Sequence, residues 1–397
     1  MPAHVLTINS GSSSIKFALF AAGAVPQRVL HGQLERIGLP QARLRVAASS
    51  GELATDEVVP AVDHQEAVGR ILDWLSRTVD VDSIAAVGHR VVHGGDRCTQ
   101  STRIDDDVLR HLREIIPLAP NHLPGEIAAL EAVQRRCPGM AQYACFDTAF
   151  HHELPVVARV LPLPRQCREM GLRRYGFHGL SYAYLLRALS REAGPAAAQG
   201  RVILAHLGAG CSLAAVQGGR CIDTTMSFTP TAGLVMATRT GDLDPGVLIH
   251  LLRTQELSAD ALERLVNRES GLIGLSETSS DVRDLLACED REPRAKLALD
   301  VFCYQARKWI GALAAALEGL DVIVFSAGIG ENSPTIRTRI CKRLRHLGVA
   351  LDEQRNGRND SLISAPEATV AVRVIPTDEE SMIAADVAEL AGVPRAN

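Results

Sequence analysis

Apolar and polar positions along the chain follow two periods, one suited to strands and one to helices. "VLTINSGSSSIKFALF", Val5 to Phe20, holds two apolar runs, Val5–Ile8 and Ile15–Phe20, around a turn of Asn9, Ser10, Gly11 and three serines, with Lys16 just beyond. β-Formers broken by glycine and small hydroxyl residues predict two strands about a tight turn. A related pattern returns at Val202–Val216, "VILAHLGAGCSLAAV". There an apolar strand enters Gly208-Ala209-Gly210, passes a small polar pair and leaves as a second strand, and Gly218-Gly219 marks a further hairpin into "RCIDTT". Two copies of one unit, strand, glycine and hydroxyl turn, strand, predict two similar lobes. A third apolar strand, Val322–Phe325, runs into "SAGIGENS", where small residues can leave backbone N–H groups free for a phosphate or a ribose. The same residues would also serve an ordinary strand-to-helix turn.

Helical periodicity lies between these units. Gly125–Arg136, "GEIAALEAVQRR", carries apolar residues at helical spacing on one side. Leu297–Leu320 is mostly apolar with Ala312–Ala316 inside, which predicts a long buried helix. Pro162 and Pro164 follow "DTAFHHELP" in a predicted loop, taken as the crossing between lobes. Strands alternating with helices predict an α/β architecture.

Composition narrows the class. The chain has 397 residues, 46% apolar and 22% charged, which predicts two or three domains with sizeable cores. A net charge of −4 argues against a general nucleic-acid binder while leaving room for a local basic pocket. Nine scattered cysteines with no C-x-x-C pair fit a reducing cytosol better than a disulfide scaffold. "MPAHVLTINSGSS" has no basic segment leading into an apolar core, so no secretory signal is expected. No apolar run reaches the roughly 18 residues of a membrane span. A cytoplasmic protein is the expectation.

Motif chemistry is less direct. G-x-x-x-x-G-K-[ST], G-x-G-x-x-G, G-x-S-x-G and H-E-x-x-H are all absent, so any nucleotide site is built differently. "HHELP" has the wrong spacing for zinc, and Pro155 would interrupt a helix. His89 and His93 in "GHRVVHGG" would pair on a helix, but Val91-Val92 and the glycines favour a strand, which holds them about 13 Å apart. Arg90 on that strand requires an anion, either a ligand or a carboxylate of the protein. His178 stands between two glycines in "YGFHGLS", which leave an imidazole accessible. Asp147 follows "CF" at a predicted strand end, where carboxylates of α/β sheets meet ligands, unless it caps a helix. Arg239 lies among small residues in "MATRTGDLDPG", where Asp242 or Asp244 could pair with it.

Taken in order, "INSGSSSIKF", "GHRVVHGG", "PLAPNH", "FDTAFH", "YGFHG", "HLGAG", "FTPTAGLVMATRTGDLDPG", "SAGIGENS" and "IPTDEESMIA" closely resemble the acetate kinase family, acyl kinases of the actin, hexokinase and Hsp70 superfamily. The match covers nearly the whole chain. The resemblance implies two duplicated ribonuclease H-like lobes with an active-site cleft between them. It divides the chain into an N-terminal lobe of 1–149 plus 382–397, closed by the C-terminal helix, and a nucleotide-binding lobe of 150–381. The implied reaction is reversible, direct in-line phosphoryl transfer from ATP to acetate, giving acetyl phosphate and ADP, with propionate or another short carboxylate as the alternative acceptor. A nucleotide-binding protein without kinase activity is the alternative of another class. Magnesium is the implied ion, with manganese as a substitute; a homodimer is implied, with no nucleic-acid or membrane partner.

Residue by residue, the resemblance implies that Asn9 and Glu379 meet the metal. Ser12, Ser14 and Lys16 face the phosphates, and His206, Leu207, Gly208, Ala209 and Gly210 line the nucleotide. So do Asp281, Val282 and Arg283, and Gly328, Ile329, Gly330, Glu331 and Asn332. Arg90 and Arg239 resemble the pair that orients the carboxylate and stabilises the phosphoryl group, and His178 a transition-state donor. Val92, Asn121, His122, Phe177 and Pro230 match the acyl pocket. Asp147 matches an active-site acid or base. Because the acceptor is already an anion at pH 7, orienting an arginine or a magnesium-bound water suits Asp147 better than proton abstraction. The chain departs from the pattern at Ala209 for Asn, Leu180 for Thr, Tyr182 for His, Asp378 for Asn and Asn121 for Leu. Ala209 removes a donor near the phosphates, and Asp378 adds negative charge beside the metal position. Tyr182 and Ala209 lend weight to the reading without kinase activity, while the retention of Asn9, Arg90, Asp147, His178, Arg239 and Glu379 speaks against it.

Overall fold

The computed structural model describes residues 3–11, 13–23 and 25–393, so Ser12, assigned above to phosphate binding, lies outside the described residues. Two compact units are present: residues up to Phe150 together with those from Asp378 onward form the first, and His151–Thr377 form the second. The chain thus passes to the second unit before Pro162 and Pro164, and it rejoins the first at Asp378 rather than at 382. The reason for the latter is that the helix Glu379–Leu390 packs as one piece on the first unit's sheet.

The first unit's strands are β1 (His4–Ser10), β2 (Ser14–Ala21), β3 (Gln27–Glu35), β4 (Arg43–Ala48), β5 (Leu53–Val58), β6 (Ile84–Val91), β7 (Thr102–Arg103) and β8 (Ala141–Phe146). They form one sheet in the order β5-β4-β3-β2-β1-β6-β8-β7. β1 to β5 run antiparallel in sequence, while β6 and β8 join parallel. Parallel neighbours need helical crossovers that cover the faces, which is why β6 and β8 are buried along most of their length. Leu6, Ile8, Phe17, Ile71, Trp74 and Val133 belong to the core on one face. On the other face the helix Glu379–Leu390 approaches β6 so closely that a Cβ on Gly88 would lie 2.5 Å from Ile383 Cγ2 and 2.7 Å from Val387 Cγ2.

The second unit repeats the plan in smaller form. Its strands are β9 (Val202–Leu207), β10 (Cys211–Gln217), β11 (Arg220–Thr224), β12 (Val322–Ser326) and β13 (Ala371–Val374), in the order β11-β10-β9-β12-β13. An antiparallel meander of three strands is followed by two parallel ones, matching β3-β2-β1-β6-β8. The two hairpins noticed in the sequence, β1–β2 and β9–β10, therefore occupy equivalent places. The predicted helix at Leu297–Leu320 spans Pro293–Ala316 instead. It is buried on one face through Leu299, Phe302, Ala306, Ile310 and Leu313, whereas Ala312, Ala315 and Ala316 are exposed. The alanine run follows the helix all the way round, so only part of it meets the sheet.

Candidate active site

In the first unit the ladder places Asn9 beside Arg90, and Arg90 beside Cys145, at the C-terminal ends of three parallel strands, the usual ligand-facing end of such sheets. Asp147 follows β8 directly. Arg90 Nε donates to Asp147 Oδ1 at 3.1 Å and Nη2 to Oδ2 at 2.6 Å, while Nη1 donates to Asn9 Oδ1 at 3.2 Å. Glu379 Oε2 lies 3.7 Å from Nε, at the first turn of the C-terminal helix. The anion for Arg90 is thus a carboxylate of the protein, and the helix-cap alternative for Asp147 gives way to a two-pronged ion pair with only 1% of its side chain exposed. Burial opposes the charge on Arg90, but Asp147 and Glu379 more than offset that and hold it firmly protonated. Burial pushes the Glu379 carboxyl above its ordinary value, while Arg90 pulls the other way.

Asn9 and Glu379 both present oxygen, and no group of three or more His, Cys, Asp or Glu side chains arranged for a metal occurs among the described residues. A hard, strongly hydrated ion such as magnesium is commonly held by one or two carboxylates together with substrate phosphates, so this sparse oxygen set fits it. Lys16, paired with Asn9 across β1 and β2, is exposed and acts electrostatically on Glu379. Ser14 opens β2 and its carbonyl accepts from Gly11 N–H at 2.8 Å. His89 is buried, its Nε2 2.9 Å from Gln142 Oε1, and burial pushes its pKa down to about 4.

One member of this cluster was missed from sequence. Glu126, in the helix Leu123–Arg136, is 3% exposed, and both its oxygens accept from Val92 N–H, at 3.1 and 3.3 Å. Its signal was an acid on the apolar stripe of Leu123, Leu130 and Val133. Burial pushes its carboxyl up to about 8, against the pull of the Val92 N–H and Arg90. From its ordinary 4.5 to about 8 the folded chain keeps a proton that the unfolded chain has released, so stability falls as pH rises through that window. Glu126→Gln should therefore raise the melting temperature more at pH 8 than at pH 5; an equal change at both would rule out the buried proton. Val92 is buried, Asn121 is exposed, and His122 is half-buried at the N-terminus of that helix.

The second unit carries its own cluster. His178 adopts a left-handed backbone, φ 60°, immediately before the helix Gly179–Ala193. Its Nδ1 lies 2.8 Å from Ser212 Oγ, and Tyr182 OH makes a short hydrogen bond with the same oxygen. The His178 ring stacks on His206 with centroids 4.1 Å apart, and His206 Nδ1 lies 2.9 Å from Ser181 Oγ. A Cβ built on Gly210 would sit 3.3 Å from His178 Nε2 and 3.5 Å from Arg239 Nη1, so imidazole and guanidinium converge on one bare stretch of backbone.

Arg239 donates to Pro230 O at 3.2 Å, and among the described residues no carboxylate pairs with it. The neighbouring acids have other work. Asp242 accepts from Gly233 N–H at 2.8 Å, and Asp244 caps the helix Pro245–Thr254 by accepting from Gly246 N–H at 2.8 Å. Burial lowers the Arg239 pKa, as expected for a cation lacking a counter-ion. Phe177 is buried and Pro230 half-buried.

The remaining nucleotide positions divide into turn, cap and loop. Leu207 is buried; Gly208 N–H donates to Gly210 O at 3.1 Å, and Ala209 is exposed, its carbonyl accepting from Ala237 N–H at 3.2 Å. Asp281 caps the helix Val282–Cys288 by accepting from Arg283 N–H, and its carboxylate also pairs with the exposed Arg283 side chain at 2.6 Å. Val282 is buried. Gly328 and Ile329 lie in the short helix Ala327–Asn332 that follows β12. Glu331 Oε1 accepts from Ala327 N–H at 2.7 Å and Thr377 N–H at 3.1 Å, so this acid ties the loop together.

Arg337 was also missed. It is fully buried and donates to the carbonyls of Gly330 (2.8 Å), Glu331 (2.9 Å) and Asn356 (2.9 Å) and to Asn356 Oδ1 and Asn359 Oδ1. Burial lowers its pKa to about 10. Nothing in "NSPTIRTRI" separates it from a surface arginine. Arg337→Met is expected to destabilise the fold by about 2–4 kcal/mol, since it orphans several buried carbonyls, and to raise KM for the nucleotide. A wild-type melting temperature and KM in that variant would count against it.

The sequence model of the acetokinase family matches residues 4–385. The chain belongs to the acetokinase family. The acetate kinase of Rhodopseudomonas palustris strain TIE-1 is 44% identical over 393 residues, covering 98% of each chain. The crystal structure of Porphyromonas gingivalis acetate kinase superposes with a TM-score of 0.90 at 37% identity, covering 98% of this chain and 99% of that one. A propionate kinase from Francisella tularensis subsp. tularensis SCHU S4 also gives 0.90, at 32% identity, covering 97% of this chain and 98% of that one. Membership makes the chain a phosphotransferase with a carboxylate acceptor, and its fold is that of a solved acetate kinase.

Within the acetokinase family the departures now have surroundings. The extra charge of Asp378 is offset by Arg28, 2.6 Å away, and its carboxylate caps the C-terminal helix by accepting from Ser381 N–H. Leu180 is a core residue. Tyr182, fully buried, joins Ser212 and His178.

Proposed function

We propose that the chain transfers the terminal phosphoryl group of ATP to acetate, reversibly, giving acetyl phosphate and ADP. The observation that carries this reading is Arg239, a half-buried guanidinium with no carboxylate partner among the described residues, sharing Gly210 with His178 Nε2. A half-buried cation without a carboxylate counter-ion suits an anion that arrives with the substrate. The acceptor carboxylate is ionised at neutral pH and needs no base. The obstacle is repulsion between it and the triphosphate, and the residues suited to relieve it are cations and donors. Arg239 and His178 would stabilise the phosphoryl group in transit. Asp147, with both oxygens engaged by Arg90, would orient that guanidinium rather than abstract a proton. Magnesium, held by Asn9 and Glu379, would neutralise phosphate charge. Lys16, His206–Gly210, Asp281–Arg283 and Gly328–Asn332 would line the nucleotide, and Val92, Asn121, His122, Phe177 and Pro230 the acyl group.

Trapping the acyl phosphate with hydroxylamine, in the presence of ATP and Mg²⁺ and across a panel of carboxylates, tests this. Acetate should give hydroxamate; none with any acid would favour a nucleotide-binding protein without chemistry. Stronger product with propionate would favour the second acceptor, which the likeness to a propionate kinase keeps in view.

The same proposal includes a cytoplasmic homodimer. All nine cysteines are free, which suits a reducing compartment. Among the described residues no helix is long and apolar enough to cross a membrane. The helix Pro245–Thr254 buries none of its residues, and Val247, Ile249 and Leu252 are 39%, 47% and 39% exposed, apolar side chains suited to a second copy. Ile249→Glu should shift the sedimentation coefficient from dimer to monomer; a monomeric wild type would remove the idea.

A further inference from the structure

We propose that Tyr182 and Ser212 are positioning residues that set the tautomer of His178: Tyr182 OH donates to Ser212 Oγ, Ser212 donates to His178 Nδ1, and Nε2 therefore carries the N–H beside Gly210. This deepens the kinase reading and rests on it for the use made of that N–H.

The three groups form a continuous chain. Ser212 Oγ lies 2.8 Å from His178 Nδ1 and accepts or donates a short hydrogen bond with Tyr182 OH. Tyr182 and Ser212 are both 0% exposed, so bulk water does not compete for these bonds. By distance alone either oxygen can be the donor. Acidity decides the direction, because a phenol with an ordinary pKa near 10 is a far better donor than an aliphatic hydroxyl. With the Tyr182 O–H donating a hydrogen bond to Ser212 Oγ, the Ser212 O–H is left to donate to Nδ1, and a neutral imidazole then holds its proton on Nε2.

The backbone and stacking partners support a fixed ring. His178 is locked at φ 60° between the loop and the helix Gly179–Ala193. The His206 ring lies against it at 4.1 Å and 21°, and Ser212 pairs with His206 across β9 and β10, so the stack and the hydroxyl come from the same hairpin. Nε2 lies with Arg239 Nη1 around Gly210. A phosphoryl oxygen there needs a donor, and a lone pair on Nε2 would repel it. Tyr182, a departure from the family pattern, thus acts through Ser212 and does not mark a loss of chemistry.

The test uses the full chain labelled with ¹⁵N at histidine, with the His178 signals identified by their loss in His178→Gln. Two-bond ¹H–¹⁵N spectra at neutral pH should show a protonated Nε2 and an unprotonated Nδ1. Tyr182→Phe should mix the tautomers and lower kcat about tenfold, with KM for ATP and for the carboxylate within about twofold. Ser212→Ala should do the same or more, and Ser212→Thr, which keeps the hydroxyl, should restore both spectrum and rate. A proton on Nδ1 in the wild type overturns the proposal, as does a Tyr182→Phe variant with unchanged spectrum and kcat. The expected wild-type spectrum in a protein without kinase activity would uphold the hydrogen-bond chain and reject the reaction instead.

Discussion

Arg239→Ala is expected to lower kcat by about 10²–10³ while leaving nucleotide affinity close to that of the wild type. The argument is one of charge. Arg239 has no carboxylate to satisfy among the described residues, since Asp242 and Asp244 are taken by backbone N–H groups. Its cation is therefore available to a substrate anion, and it sits with His178 where Gly210 leaves the backbone bare. Because burial already works against its charge, removal should not lower stability and can raise it. Steady-state kinetics, nucleotide titration and a thermal melt on one preparation check all three parts. Turnover near normal would refute the charge-neutralising role, and a large loss of stability would show that the arginine holds the fold together instead.

Arg90→Ala is expected to behave differently, losing both activity and stability. Asp147 is 1% exposed and receives two hydrogen bonds from Arg90, so deletion strands a buried carboxylate, at a cost of about 3–5 kcal/mol. The double variant Arg90→Ala with Asp147→Asn should recover part of that stability and none of the activity, because the amide tolerates burial but supplies no cation. Denaturant unfolding of the two single variants and the double forms a thermodynamic cycle. Additive losses would mean that the ion pair contributes nothing specific. Arg90 and Arg239 look alike in sequence; the presence of a buried anion beside one and its absence beside the other separates their roles.

The elements that local chemistry controls were legible early. The β1–β2 and β9–β10 hairpins follow from apolar alternation broken by glycine and hydroxyl residues, and the repeated motif foretold two similar lobes, whose shared strand order the structure supplies. The helix Pro293–Ala316 was found, but its boundaries and buried face were not, since an alanine run looks the same from every side and the sheet it packs on is made of distant segments. Arg90, Asp147, His178 and Arg239 were marked as candidates by residue type and setting. Their partners could not be read, because Asn9, Arg90, Asp147 and Glu379 are brought together only by parallel pairing of β1, β6 and β8 and by the return of the C-terminal helix.

Glu126 and Arg337 mark the boundary most clearly. Both are charged residues in amphipathic helices, where solvent exposure is the ordinary expectation, and both are buried because of what lies opposite: Val92 N–H for one, the carbonyls of Gly330 and Glu331 for the other. The sequence by itself determined the α/β class, the duplication and the family, because these depend on periodicity and on motifs contiguous in the chain. Tertiary structure alone decided which charges are neutralised, which acid keeps its proton and which hydroxyls hold His178, because desolvation and hydrogen bonding depend on neighbours that the linear order does not name.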